Sequence, residues 1–152
     1  MTARTTIRRI LCPVDFSAPS DHALDYALSL AELVGADVHL LHSYQLPVYA
    51  LPDGALLPSA DLAAAVSHDA RRAFDGLDAK LEGRSLTVDK HLTEGLPHEE
   101  VARLVDELDI DMVVMGTHGR TGFRRLLMGS VAERVVRTCP CPVVTVPFEA
   151  GD

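Results

Sequence analysis

The chain has 152 residues, 47% of them hydrophobic and 24% charged, with a formal net charge of -8. That length suits one core and one sheet. The acidic balance argues against a general nucleic-acid binder, which needs a basic patch or stripe. Aromatics make up only 5% and Trp is absent. The core must therefore come from Val, Leu, Ile and Ala, which suits a buried parallel sheet under helices. No run approaches the ~20 apolar residues of a membrane span. The apolar stretch from Ile10 to Val14 is too short for the h-region of a signal peptide. Cys12, Cys139 and Cys141 follow no disulfide-scaffold spacing, which points to a reducing compartment. A cytoplasmic protein is expected.

Taken in chain order, strand and helix patterns alternate. Ile10 to Val14 reads as a buried strand, with Pro13 confined to its end because it has no N–H to give the ladder. Ser17 or Ser20 can cap the helix that follows. Its stripe is Ala23, Ala27, Leu30, Ala31 and Val34, and Gly35 stops it. Val38 to Tyr44 is the second strand. Gln45 to Pro58 holds Pro47, Pro52, Gly54 and Pro58 and reads as a long loop, a kind of segment that is usually functional. Ser59 to Leu81 reads as one helix with Ala70, Ala73, Leu77 and Leu81 on a face, ended by Gly83. Leu86 to Leu92 is the third strand. Pro97 opens a helix with the stripe Val101, Leu104, Val105 and Leu108. Asp111 to Met115 is the fourth strand, Gly116 to Gly129 a glycine-rich loop, and Val131, Val135 and Val136 mark a last helix. Pro142 to Val146 is the fifth strand. This order predicts an α/β fold with a parallel sheet covered on both faces, in a single domain spanning 1–152.

Ligands in open α/β sheets bind beyond the C-terminal strand ends. Two such ends stand out: Pro13-Val14-Asp15, and the loop beginning Met115-Gly116-Thr117-His118-Gly119-Arg120. The glycines permit close backbone approach. Gly129-Ser130 then opens a helix whose free N–H groups and positive dipole end suit an anion. A flexible loop with ordinary capping is the plainer reading of any one glycine pair, and the ordered series weakens it. The chain lacks G-x-x-x-x-G-K-[ST], and no G-x-G-x-x-G follows the first strand, so the P-loop and the common dinucleotide site are excluded.

The series Gly116-x2-Gly119-x9-Gly129-Ser130 resembles the nucleotide-binding pattern of the universal stress protein family. The likeness runs from Ile7 to Val146 and includes Ile10 to Ser17, Asp111 to Arg120 and Cys141 to Val146. It implies an open five-stranded parallel sheet of order 3-2-1-4-5, of adenine-nucleotide-hydrolase-like type. Because every glycine of the pattern is kept, it also implies membership of the ATP-binding branch. In that resemblance Val14 and the backbone near Leu41 and His42 wall the adenine, Pro13 is a further cofactor-binding residue, and Met115 and Gly116 lie under the nucleoside. Asp15 faces the ribose or phosphates, directly or through Mg2+ or Mn2+. Gly119, Gly129, Ser130 and Val131 hold the phosphates, with Arg120 a further partner because a guanidinium pairs well with phosphate. A homodimer through Pro142 to Val146 is also implied, since a bare apolar edge strand tends to pair.

Other residues have plainer readings beside the functional ones. Asp15 is either a ligand group or a helix cap. His118 touches a phosphate or faces solvent. Arg124 and Arg125 read as a solvated face. His39 and His42 are too scattered relative to Cys12 for zinc. Cys139-Pro-Cys141 reads as two half-buried thiols before an edge strand, since an unstrained disulfide across one residue is difficult. Leu46 to Leu57 fits a lid, a partner surface or packing over the sheet edge. No nucleophile, base and orienting acid stand at recognisable spacing. The expectation is therefore an ATP-binding regulatory protein of the stress response with weak or no turnover. Its rivals are a slow metal-dependent ATPase and a nucleotide-independent structural or chaperone-like dimer.

Overall fold

A computed structural model of the chain describes residues 6–46, 49–52, 54–56, 59–118 and 128–149. Five strands form one parallel sheet: β1 (Arg9–Pro13), β2 (Asp37–Tyr44), β5 (Val88–Glu94), β6 (Met112–Gly116) and β7 (Val143–Val146). Their order is β5-β2-β1-β6-β7, the 3-2-1-4-5 arrangement expected. Chain order reverses between β1 and β6, and in such sheets the ligand crevice opens at that reversal.

Alternation along the strands splits the core in two. Ile10, Cys12, Val38, Leu40 and Val114 face α1 (Ala18–Val34), α2 (Ala60–Asp75) and α3 (Asp78–Leu81). Leu11, Leu41, Val113 and Met115 face α4 (Pro97–Glu107) and α5 (Ser130–Thr138). Helices therefore cover both faces, as strands buried on both sides require.

Local chemistry sets the ends of α1. Ser17 is its N-cap and accepts from the Ser20 N–H, while Pro19 occupies the first turn. Gly35 ends it in the left-handed region at φ 71°, its N–H donating to the Ala31 carbonyl. Ala23, Ala27 and Ala31 are fully buried, as their spacing predicts, but so are Leu24 and Leu28. Val34, placed on the stripe from sequence, is exposed.

Two elements differ from the sequence reading. The segment expected as one helix to Leu81 breaks into α2 and α3 around Gly76. The Gly76 N–H donates to Arg72 and the Leu77 N–H to Phe74, so the helix tightens and ends where glycine has little helical preference. Ala70 and Phe74 are the buried residues of α2, whereas Ala73 is exposed. The stretch read as loop from Gln45 contains a small antiparallel hairpin, β3 (Tyr49–Leu51) with β4 (Gly54–Leu56). Three-residue strands are too short to show a period, and Gly54 at φ 141° supplies a conformation other residues rarely adopt. Smaller shifts follow at ends: β5 begins at Val88 rather than Leu86, and β1 stops at Pro13, one residue before Val14.

Candidate functional site

The loop after β1 is held by its own backbone and short polar side chains. The Val14 N–H donates to the Leu41 carbonyl at 2.8 Å. His42 is buried, and its Nδ1 lies 2.8 Å from the Val14 carbonyl oxygen. A carbonyl only accepts, so Nδ1 carries the proton. The Asp15 N–H donates to Ser20 Oγ at 3.0 Å. The Asp15 carboxylate accepts from the Ser17 N–H at 3.0 Å and from the Ser17 hydroxyl at 2.5 Å. Asp15 therefore steadies the residue that caps α1, while Ser17 itself is the cap.

Phe16 lies between these groups at φ 64°, a region disfavoured for a bulky side chain. Its ring packs 4.4 Å from His42 and 6.3 Å from Phe74, centroid to centroid. Such backbone outliers persist where packing over-determines them and cluster at functional sites.

The second wall comes from the end of β6. Met115 is buried, and Gly116 lies tight against Pro19, whose carbonyl oxygen would stand 3.2 Å from any Cβ at position 116. The Thr117 N–H donates to Val146 of β7 at 3.3 Å, and the Thr117 carbonyl accepts from the Gly129 N–H at 2.6 Å. These two bonds tie the start of α5 to the sheet. Gly129 is the N-cap of α5 at φ -71° and ψ 161°, and among the described residues no side chain caps the helix. That backbone is open to any residue, so conformational freedom does not explain a glycine at 129. Absence of a side chain at 129 removes one obstacle to an anion approaching the first-turn N–H groups.

Between the two walls lies a cavity of about 780 Å³. It is lined by ten of the residues singled out from sequence: Pro13, Val14, Asp15, Leu41, His42, Met115, Gly116, Gly129, Ser130 and Val131. They come from the ends of β1, β2 and β6 and the N-terminus of α5. Gly119 and Arg120 lie outside the described residues, as do Arg124 and Arg125. His118 lines the cavity and its Nδ1 is 3.0 Å from Thr117 Oγ1.

The cavity also has walls the sequence did not indicate. Val66, Asp69 and Ala73 of α2 face it, as do Tyr44, Gln45 and Pro97. No motif marks them, because α2 is brought over the strand ends only by packing through Ala70 and Phe74. Phe16 and Ser20 were legible in principle, being within a few residues of Asp15. Among the described residues, no group of three or more His, Cys, Asp or Glu side chains is arranged to hold a metal ion.

The model of the universal stress protein family matches residues 6–147. The chain belongs to that family. Among curated relatives, universal stress protein MJ0577 of Methanocaldococcus jannaschii is 28% identical over 152 aligned residues, covering 91% of this chain and 94% of the relative. Universal stress protein MJ0531 of the same organism is 30% identical over 141 residues, covering 91% and 81%. The solved structure of MJ0577 superposes with a TM-score of 0.80 at 24% identity, over 96% of this chain and 99% of that one. A universal stress protein in complex with cAMP gives a TM-score of 0.63 at 23% identity, over 95% and 100%. An Arabidopsis thaliana family protein with AMP bound gives 0.65 at 17%, over 94% and 93%. At these identities the solved structures speak for the fold.

Proposed function

We propose that this universal stress protein is a single regulatory domain that binds ATP in the cavity between β1, β6 and α5, its occupancy shifting conformation or assembly. The observation that carries the reading is the convergence of ten sequence-selected residues on one 780 Å³ cavity, a size within the ~300–1,000 Å³ of small-molecule sites. The cavity's chemistry divides as a nucleotide does. Val14, Leu41 and Met115 are buried apolar groups of its lining, suited to a flat base. Gly129, Ser130 and Val131 give helix N–H groups and a hydroxyl, suited to phosphates. Two family structures of the same fold hold adenine nucleotides, cAMP and AMP, which supports an adenine base here. Gly119 and Arg120 complete the phosphate end in this reading. Asp15 would hold a divalent ion, Mg2+ or Mn2+, which would offset phosphate charge there.

Hydrolysis needs a positioned water and compensated phosphate charge. Among the described residues the lining holds no Lys or Arg, so beyond Arg120 and an ion at Asp15 little compensates developing negative charge. Turnover is therefore slow and ATP acts as a bound signal. The protein works as a cytoplasmic homodimer, joined through β7, an edge strand with one neighbour, β6, in the sheet. A monomer by light scattering at micromolar concentration contradicts the dimer.

The test of the site is an ATP titration of the wild type and of Ser130→Ala. Loss of a hydroxyl that donates to a charged phosphate costs about 1.5–3 kcal/mol, so affinity falls roughly tenfold or more. Equal affinities would remove the phosphate end from this cavity.

A further inference from the structure

Cys139 and Cys141 lie at the far end of α5 from the cavity. Cys139 is the C-cap of α5, its N–H donating to the Val135 carbonyl at 2.8 Å. Pro140 turns the chain, and Cys141 leads through Pro142 into β7. Both thiols are half-buried against the α4–α5 side of the core, and their sulfurs are 3.5 Å apart. The pair differs in this from Cys12, which is fully buried and pushed up to about 12 by that burial.

We propose that Cys139 and Cys141 form a reversible oxidation site, with Cys139 attacking hydroperoxides and Cys141 closing the disulfide. The geometry supplies the two requirements of such a site: a partly exposed sulfur that can carry charge, and a second thiol in contact with it. The Cys141 thiol, 3.5 Å away, and the Cys141 backbone N–H hold Cys139 below the ordinary thiol range, against the opposing effects of burial and Asp106. Sharing a proton with Cys139, together with burial, pushes Cys141 up. The first thiol is the nucleophile and the second holds its proton until needed.

The chemistry balances in two steps. The Cys139 thiolate attacks one oxygen of a hydroperoxide and the O–O bond breaks. The leaving alkoxide or hydroxide takes a proton to become alcohol or water, and Cys139, oxidised by two electrons, becomes a sulfenic acid. The Cys141 thiol then gives up its proton, and its sulfur attacks the Cys139 sulfur. The S–O bond breaks, and the departing hydroxide takes that proton to leave as water. A disulfide across one intervening residue is strained and so is readily reopened by cellular thiols. Neither step uses a nucleotide, so the proposal stands apart from the ATP reading.

The test is mass spectrometry of the full-length reduced protein after brief hydrogen peroxide, with free thiols alkylated under denaturing conditions. The expected product has lost two hydrogens, carries the Cys139–Cys141 link within one chain, leaves Cys12 alkylatable, and returns to the dithiol with a monothiol reductant. In Cys141→Ser the expected product is a sulfenic acid on Cys139, captured by dimedone. A thiol lowered by a hydrogen-bonding neighbour carries more thiolate near neutral pH than one whose value is raised. Cys139 in the untreated protein should therefore alkylate faster than Cys141. Equal alkylation rates, two free thiols after peroxide, or a link only between chains would overturn the proposal.

Discussion

Gly116 is the point where the sheet, the first helix and the candidate site meet, so adding one methyl there tests the packing directly. In Gly116→Ala the new Cβ would stand 3.2 Å from the Pro19 carbonyl oxygen, 3.3 Å from its carbon and 3.4 Å from the His118 carbonyl oxygen. All three are backbone atoms, so no side chain can rotate away. Relief requires the start of α1 to withdraw by a few tenths of an ångström. Overpacking of this kind costs about 1–3 kcal/mol. For a chain of this size, that lowers Tm by roughly 2–12 °C. The same displacement moves the Asp15–Ser20 turn, which lines the cavity, so ATP affinity should also fall. Gly83→Ala is the control. Gly83 sits at φ 76° with nothing within 4 Å of a Cβ, so alanine there adds backbone strain of about 1 kcal/mol without touching the site. Thermal melts and ATP titrations of both variants separate the two effects. A Gly116→Ala protein with wild-type Tm and affinity would refute the packing argument.

Two further perturbations read other parts of the fold. His39 and His91 stack with Nδ1 and Nε2 3.1 Å apart, and burial, the largest cause, lowers both below the ordinary 6.5. The charge of His39 opposes protonation of His91, Arg103 adds to this at His91 and Arg9 acts likewise at His39, while Asp89 works against it at both and Asp37 at His39. Below about 6.5 the unfolded chain binds more protons than the folded one, so stability falls as pH drops. Urea midpoints at pH 7.5 and 5.5 should show this loss, smaller in His91→Gln; an unchanged loss in the variant would contradict it. Asp15→Ala removes the acceptor for the Ser17 N–H and hydroxyl, costing about 1–2 kcal/mol by denaturant melt. In calorimetry it should also abolish any strengthening of ATP binding by Mg2+, and a variant still strengthened by Mg2+ would take the ion away from Asp15.

The sheet was legible because its strands are short apolar runs separated by glycine and proline punctuation, and because buried parallel strands leave few alternatives for such runs. The walls of the cavity formed by β1, β6 and α5 were legible for a different reason. Each sits within a few residues of a strand end or a helix start, where local sequence alone places backbone groups. Val66 and Asp69 were not legible, since their position depends on how α2 crosses the sheet. The break at Gly76 was missed because a helical stripe through Leu77 and Leu81 continues past it, and both residues do pack on the same core. The positive φ of Phe16 has no sequence signal, as it is imposed by contacts with His42 and Phe74. Leu24 and Leu28 were passed over because the alanine stripe of α1 is narrower than the face it actually buries.

The central claim is that the cavity holds ATP and keeps it. Freshly purified protein, denatured and analysed by mass spectrometry for released nucleotide, tests it most directly. Near-stoichiometric ATP is the predicted result, because a slow hydrolase leaves its ligand intact through purification. A protein that emerges empty and also fails to bind added ATP would contradict the account.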